Sequence, residues 1–247
     1  MTLLHMTTEA EWAASRIDPA PGEDFVHLSG PEQLHVPANA FYAGRRDLVL
    51  LAIDPTRLAS EIKVEGGFPH LYGPILPEAV FDVLPFPADA DGSFHLVVAP
   101  MDAGSPPAAD LIEAMVQEMD DLYGSRIDVD GMPSATPADF ARPKGTFLVG
   151  HLDGVPVTGG GVKTLEPGLG EIKRMYVAPE ARGQGIARTL LTALEDAARR
   201  LGHDRVRLDT GPDQPHAKAL YETAGYVEIP NYNDNPKATY FAEKQLT

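Results

Sequence analysis

The segment of the sequence best suited to chemistry is a glycine-containing turn. It lies between GEIKRMYV, a run typical of a strand, and a long amphipathic pattern typical of a helix. Glycines let backbone N–H groups approach an anion because no Cβ stands in the way. The first turn of the following helix adds unpaired N–H donors and the positive end of a helix dipole. This pattern predicts a pyrophosphate site built from Arg182, Gly183, Gln184, Gly185, Ile186, Ala187 and Arg188.

The alternative is that this turn only joins a strand to a helix. Local charge favours the anion site, since residues 171–207 carry 8 basic and 5 acidic side chains within a chain of net charge −16. Lys173 could add to that charge. A Walker loop is excluded because no GKS or GKT follows, and a dinucleotide fold is disfavoured because the turn is central in its domain and lacks GxGxxG.

Composition sets the wider limits. The 247 residues include 36 acidic and 20 basic side chains and no cysteine, which excludes disulfides, thiolate metal sites and a cysteine nucleophile. An apolar content of 43% is typical of a globular protein. The start, MTLLHMTTEAEW, lacks the basic and apolar regions of a signal peptide, so we expect a cytoplasmic protein. The negative charge argues against nucleic-acid and membrane partners, whereas a homodimer is compatible with the sequence.

A short Pro, Ala, Asp, Gly and Ser stretch at 87–93 predicts two domains, at 1–88 and 93–247. The second domain reads as β–α–β–β–β–α–β–α–β–β, a mixed sheet with helices against it. Its first helix is predicted to have Ser105 as N-cap, Pro106 as first residue and Gly124 after its end. The predicted apolar face of this helix contains Leu111, Met115, Met119 and Leu122.

The first domain is less regular, and we predict a small α+β fold. TLLHMT, FVHLS, DLVLLAI and AVFDVLPF read as strands, and TEAEWAASR and PEQLHVPANAFYAG read as helices, with Pro37 a potential break in the second. Several polar side chains lie near predicted strand ends and could line one cleft. Individually they are more typical of hydrogen-bonded core groups. They are His5, His27, Ser29, His70 and Tyr72.

Two segments of the second domain carry a family resemblance. EIKRMYVAPEARGQGIARTLL and LDTGPDQPHAKALYETAGY resemble the GNAT superfamily of N-acetyltransferases, whose acetyl-CoA motif reads Gln/Arg-x-x-Gly-x-Gly/Ala. Arg182, Gly185 and Ala187 match that motif, and the resemblance covers about 93–247. It implies acetyl-CoA as cosubstrate and a sheet in which two neighbouring central strands splay apart around the pantetheine arm.

The resemblance also implies roles for individual residues. The splayed strands correspond to 171–177 and 206–210, and the acyl arm is then lined by Met175, Tyr176 and Val177. Tyr221 matches the tyrosine that protonates the leaving thiolate in many members, although an aromatic that only anchors its helix is the alternative. Glu171 matches the general base of some members by its spacing to the turn, the alternatives being a solvated glutamate, a partner of Lys173 or a water chain as base.

The acceptor that this resemblance implies is a primary amine of a small molecule or peptide. Two loops are expected to border its site, each with a solvated loop as the alternative. One carries Tyr232, Asn233 and Asp234, and the other carries Asp128, Asp130 and Asp139. Acidic walls would suit a cationic amine. A non-catalytic acyl-CoA sensor is the second functional hypothesis.

The first domain resembles a small bacterial domain family of unknown function that is sometimes grouped with ADP-ribosyltransferase-like folds, over about 1–86. That distant grouping implies NAD-linked chemistry, in which His5, His27, Tyr72 and Glu65 would take part. A zinc site at the three histidines is a further alternative, but no tight ligand spacing supports it, and we predict no metal.

Overall fold

The computed structural model describes residues 2–127 and 133–246. The chain forms two compact units. One comprises Met1–Pro100 with Gly150–Pro156, and the other comprises Met101–Val149 with Val157–Thr247. The domain boundary at 88–93 stays a prediction. The units differ from it in giving residues 93–100 and 150–156, which the sequence assigns to the second domain, to the first unit.

The first unit contains two three-stranded sheets in the described residues, ordered β1-β3-β6 and β2-β5-β4. Two short helices accompany them. In chain order the elements are β1 (Leu3–Thr8), α1 (Glu9–Trp12), β2 (Val26–His27), α2 (His35–Tyr42), β3 (Leu48–Ile53), β4 (Ile62–Glu65), β5 (Phe68–Leu71) and β6 (Val80–Pro85).

Strand β3 contributes to both apolar cores of the first unit. All six residues of LVLLAI are buried, because successive side chains point to opposite faces and each face has its own core. Leu48, Leu50 and Ala52 pack into one apolar cluster with Phe86 and Phe94. The intervening Val49, Leu51 and Ile53 pack into another, with Leu28 and Leu71.

The structure corrects several predicted elements of the first unit. The first helix ends at Trp12 instead of continuing to Arg16, and a capping box between Thr8 and Glu11 fixes its start. Pro37 does not break the second helix, because it occupies the first turn, where its missing N–H has no intrahelical partner. Strands β4 and β5 are not predicted, since each is only four residues long and β5 contains Pro69.

The second unit confirms the predicted mixed sheet and its element order. A strand, β7 (Leu96–Met101), spans the division between the units. The remaining strands lie in the order β12-β13-β11-β10-β9-β8. The elements are α3 (Ala108–Tyr123), β8 (Gly145–Leu152), β9 (Val155–Glu166), β10 (Leu169–Val177), α4 (Ile186–Arg200), β11 (Arg205–Thr210), α5 (Pro215–Thr223), β12 (Val227–Glu228) and β13 (Tyr240–Gln245).

Helix α3 begins later than predicted. Pro107 is its N-cap residue, and the Ser105 hydroxyl donates to Asp102 at 2.7 Å instead of capping the helix. Gly124 ends the helix in the left-handed conformation, as predicted. No helix within residues 2–127 and 133–246 has both the length and the apolar content to cross a membrane.

Packing between α4 and the sheet builds the core beneath the predicted turn. Ile186, Leu190, Leu191 and Leu194 are buried, as their helical spacing predicts. Close approach also depends on β9, where a Cβ on Gly160 would lie 3.0 Å from Leu194 Cδ1. The helix and the sheet therefore fit only with a small residue at that position.

Leu194→Ala tests this packing. Leu194 is fully buried, so we expect its truncation to lower the free energy of unfolding by about 2–5 kcal/mol. Val227→Ala is the matched control, because Val227 is 70% exposed in the same unit, and its cost should be within about 0.5 kcal/mol. Urea unfolding followed by circular dichroism at 222 nm measures both. Equal costs for the two variants would contradict the assignment of Leu194 to the core.

Candidate active site

Strands β10 and β11 pair in parallel at their start and then separate. Their register includes Leu169 with Arg205, Gly170 with Val206 and Glu171 with Arg207, and it ends there. Beyond this point a cavity of about 500 Å³ lies between the second half of β10, the end of β11, α3 and the start of α5. The gap between the strands thus provides a slot in which an extended ligand can be held by backbone on one side.

Strand β10 contains a β-bulge beside this cavity. Lys173 pairs with Gly161 and Tyr176 with Gly159, so two residues of β10 oppose one residue of β9. Arg174 has φ = +60°, an uncommon conformation for a residue with a side chain. A bulge leaves its extra residue outside the ladder, and polar backbone groups can then serve a ligand. Met175, Tyr176 and Val177 all line the cavity.

The predicted pyrophosphate turn has the conformation that an anion site requires. Gly183 and Gly185 have φ of +79° and +80°, and Gly185 is the N-cap of α4 without any side-chain cap. Among residues 2–127 and 133–246, no hydrogen-bond acceptor is found for the amides of 183–187. A Cβ at either glycine would meet no atom within 4 Å, so the space above the turn is open. The turn therefore fits a diphosphate group.

The arginines of this turn are engaged by protein groups. Arg182 makes a bidentate ion pair with Glu118 of α3, with N···O distances of 2.6 and 2.8 Å, and its Nε donates to the Val177 carbonyl. Arg188 donates to the Thr223 hydroxyl at 2.5 Å. Backbone N–H groups are consequently the principal donors that the turn offers to a ligand.

Tyr221, on α5, places its ring in the wall of the cavity. It is 7% exposed, and its hydroxyl lies 3.8 Å from the sulfur of Met175. Burial raises the pKa of this phenol above its usual value, and the negative charge of Asp209 adds to the effect. Tyr221 therefore remains protonated at neutral pH and presents a proton donor beside the predicted acyl arm.

Glu171 occupies the last paired position before the strands separate. Its carboxylate is 2% exposed and lies 3.2 Å from Lys163 Nζ and 3.3 Å from Lys173 Nζ. The Tyr232 hydroxyl and the Asn233 amide donate to it at 2.7 and 3.1 Å. Glu171 is not among the described residues that line the cavity. With four partners, this carboxylate joins the sheet to the 231–235 loop.

The two loops expected to border the acceptor site are used differently. Tyr232 and Asn233 contact Glu171, and Asp234 is exposed with its amide donating to Asn231. Asp139 accepts from the Thr136 amide and hydroxyl in a capping box, which lowers the pKa of its carboxyl. Asp128 and Asp130 lie outside the described residues. The roles of these loops in acceptor binding stay predictions.

An ion pair that the sequence did not single out contributes polar groups to the cavity. Lys173, expected near the pyrophosphate turn, instead contacts Asp209 across the gap between β10 and β11. Asn235 also donates to Asp209, at 2.5 Å. The sequence feature that could have identified this ion pair was the carboxylate of Asp209 in the strand RVRLDT. Only the separation of the strands reveals that it faces a ligand space.

The first unit brings together most of its predicted cleft residues. His5, His27, Ser29 and His70 line a second cavity, of about 830 Å³, and Tyr72 donates to Glu65 beside it at 3.0 Å. Within the described residues, no group of three or more His, Asp or Glu side chains has an arrangement that could hold a metal.

Comparison with known proteins identifies both parts of the chain. Residues 112–226 match the model of the acetyltransferase (GNAT) family, and residues 6–83 match a protein family of unknown function, DUF952. The chain is 33% identical to the "IAA acetyltransferase" of Azospirillum brasilense over 144 residues, covering 57% of this chain and 94% of that protein. The chain belongs to the acetyltransferase (GNAT) family. Acetyl-CoA is therefore its cosubstrate, and it is a transferase of acyl groups.

Two further relatives agree with this assignment. An "Uncharacterized N-acetyltransferase YjgM" of Escherichia coli is 33% identical over 93 residues, which are 36% of this chain and 56% of that protein. A GNAT acetyltransferase structure from Staphylococcus aureus matches with a TM-score of 0.51 at 16% identity, over 62% of this chain and 99% of that one, and supports the fold alone.

Gly185→Ala tests the backbone turn. At φ = +80° an alanine is strained and its methyl group occupies the space above the turn, so we expect KM for acetyl-CoA to rise about tenfold with kcat little changed. Gly202→Ala is the matched control, because Gly202 has φ = +86° and open space at the far end of α4. Steady-state kinetics measure both, and an equal rise in KM for the two variants would show that strain alone is responsible.

Proposed function

We propose that this protein is an N-acetyltransferase that moves the acetyl group of acetyl-CoA to a primary amine of a small molecule or peptide. The amine nitrogen, in its neutral form, attacks the thioester carbon. A C–N bond forms, the C–S bond breaks, the nitrogen loses a proton and the departing thiolate gains one. No covalent bond to the protein is needed, which agrees with the absence of cysteine.

The observation that carries this proposal is the buried Tyr221 hydroxyl beside β10. Tyr221 donates the proton that the thiolate requires, and its raised pKa keeps that proton available throughout the range in which amines become neutral. Within residues 2–127 and 133–246, its hydrogen-bond partner is the weakly accepting sulfur of Met175. The hydroxyl is therefore not committed to a strong internal acceptor and can serve a ligand.

The β10 bulge supplies the second element of the mechanism. As the amine attacks, negative charge develops on the thioester oxygen, and N–H groups fixed in the protein stabilise it without reorganising. Backbone amides near Arg174 and Met175 take this part in the proposal, because the bulge removes this segment from regular pairing with β9. The bulge thus links binding of the acyl arm to polarisation of its carbonyl.

The proton released by the amine needs a base. Asp209 lines the cavity, and Glu171 does not. Lys173 also lines the cavity, and its ammonium group contacts both carboxylates. Glu171, the general base expected from the sequence, therefore acts through an intervening group or water in this proposal. The contacts of Lys173 with Glu171 and Asp209, where the strands separate, support such a route.

Thiol release from acetyl-CoA with a panel of primary amines tests the function. Tyr221→Phe should retain acetyl-CoA binding and lower kcat about 100-fold, because only the donated proton is lost. The loss should be equal at pH 7 and pH 9, since the hydroxyl stays protonated at both. Tyr226→Phe is the control. Its ring lies 5.7 Å from that of Tyr221 but outside the cavity lining, so kcat should be unchanged. An unaltered rate in Tyr221→Phe would remove its proposed role.

Glu171→Gln tests the base. If Glu171 accepts the proton, the substitution lowers the slope of the acidic limb of log kcat/KM from about two to about one, because that limb reports deprotonation of both the amine and the base. The measurement is the shape of the profile between pH 5 and 9, so a loss of folded protein does not mimic the effect. An unchanged slope would assign the proton to Asp209 or water.

A further inference from the structure

The cavity of the first unit is unused by acetyl transfer. Its volume of about 830 Å³ is within the range of small-molecule sites. It is lined from β1, β2, β5 and α2 and by the 16–23 segment, all within the first unit. Its aromatic, imidazole and carboxylate groups together determine which chemical class of ligand it can bind.

One wall of this cavity is aromatic. His27 and His70 are paired directly across β2 and β5, so their side chains share a face, with ring centroids 5.0 Å apart. The ring of Phe25 stacks on His70 at 4.0 Å with an interplanar angle of 10°. Phe41 contributes another ring and is 79% exposed, an unusual state for a phenylalanine. The faces of such rings attract cations.

One imidazole of the lining, that of His5, can accept a hydrogen bond. His5 Nδ1 lies 2.9 Å from the His27 carbonyl and must donate to it, since a carbonyl oxygen can only accept. His70 Nδ1 donates to the Glu65 carboxylate at 3.0 Å. In the neutral imidazole the other nitrogen, Nε2, is then an acceptor. Burial lowers the pKa of His5 and keeps it neutral, so a ligand at this nitrogen must donate a hydrogen bond.

The charges of the lining are negative. The lining contains one guanidinium and four carboxylates. The guanidinium is that of Arg16, which is paired with Asp18 at 2.6 Å. The carboxylates belong to Glu11, Asp18, Glu23 and Glu65. Hydrogen bonds from Thr8 and Thr7 lower the pKa of Glu11. Hydrogen bonds from His70 and Tyr72 lower that of Glu65. Both carboxylates are therefore ionised at neutral pH.

Cations outside the lining offset only part of this charge. Lys63 lies 4.2 Å from the centre of the Tyr72 ring and 3.8 Å from Glu61. Arg45 is paired with Asp47 at 2.5 Å. Neither lines the cavity. Within the described residues, the lining holds no unpaired cationic side chain for a diphosphate, which disfavours the NAD-linked chemistry that the distant resemblance gives as an alternative.

We propose that this cavity binds an organic cation, an amine or amidine with a flat apolar body. Its charge lies near Glu65 and the aromatic wall, one of its N–H groups donates to His5 Nε2, and its apolar body packs on Phe25 and Phe41. The proposal concerns the first unit alone and does not depend on the acetyl acceptor.

Calorimetric titration of the full chain with three matched probes tests this selectivity. Benzylamine, benzyl alcohol and benzoate share a ring and differ in charge. We expect benzylamine to bind at least about tenfold more tightly than benzyl alcohol, and benzoate not to bind. Equal affinity for benzylamine and benzoate would overturn the proposal, as would an absence of benzylamine binding.

Two matched variants and one spectrum locate the bound probe. Glu65→Gln should weaken benzylamine about fivefold by removing a charge from the lining, whereas Glu61→Gln removes an exposed carboxylate outside it and should change little. Imidazole ¹H–¹⁵N correlation spectra should show shifts at His5 and His70 while His203 and His216 of the second unit stay fixed. Shifts at His216 alone would place the amine in the acetyltransferase unit, which contradicts this proposal and leaves the proposed function intact.

Discussion

The acetyltransferase unit depends on a gap in its own sheet. Two neighbouring strands share hydrogen bonds only at their start, and beyond Glu171 and Arg207 their backbones diverge. Each backbone polar group that loses a strand partner must find another, because an unpaired buried group is costly. The bulge at Arg174 and Met175 and the cavity beside it meet that requirement by offering β10 to a ligand. In the proposed function, an extended acyl arm bound along β10 would complete the sheet.

Buried charges bridge the two strands where they separate. Glu171 and Asp209 alternate with Lys163 and Lys173 at the branch point, so two carboxylates are balanced by two ammonium groups. Buried ion pairs contribute little net stability, because desolvation offsets their attraction, but loss of one partner is expensive. Such a network favours one spacing between the strands over alternatives. Lys173 and Asp209 of this network also line the cavity.

Two cavities lined by described residues, one in each unit, differ in chemistry. The acetyltransferase unit offers hydrogen-bond donors, namely backbone amides at residues 183–187 and the Tyr221 hydroxyl. The first unit offers an acceptor and negative charge, from the His5 imidazole and from Glu65. One suits an anionic cosubstrate and the other a cation. The net charge of −16 does not reveal this difference between the two cavities, because it sums a locally basic segment and an acidic remainder.

The sequence by itself determined the order of elements in the second unit, the α4 core face, the end of α3 at Gly124 and the turn at 182–188. These features rest on local rules, since helical periodicity, glycine conformation and a strand–turn–helix succession are written in adjacent residues. The long-range partners were settled by the tertiary fold alone. It paired Arg182 with Glu118, placed the Tyr232 hydroxyl against Glu171, and brought Asp209 to the cavity. Such contacts join residues tens of positions apart, and no local pattern encodes them. The short strands β4 and β5 escaped prediction for the same reason, because cross-strand partners stabilise them more than their own composition does.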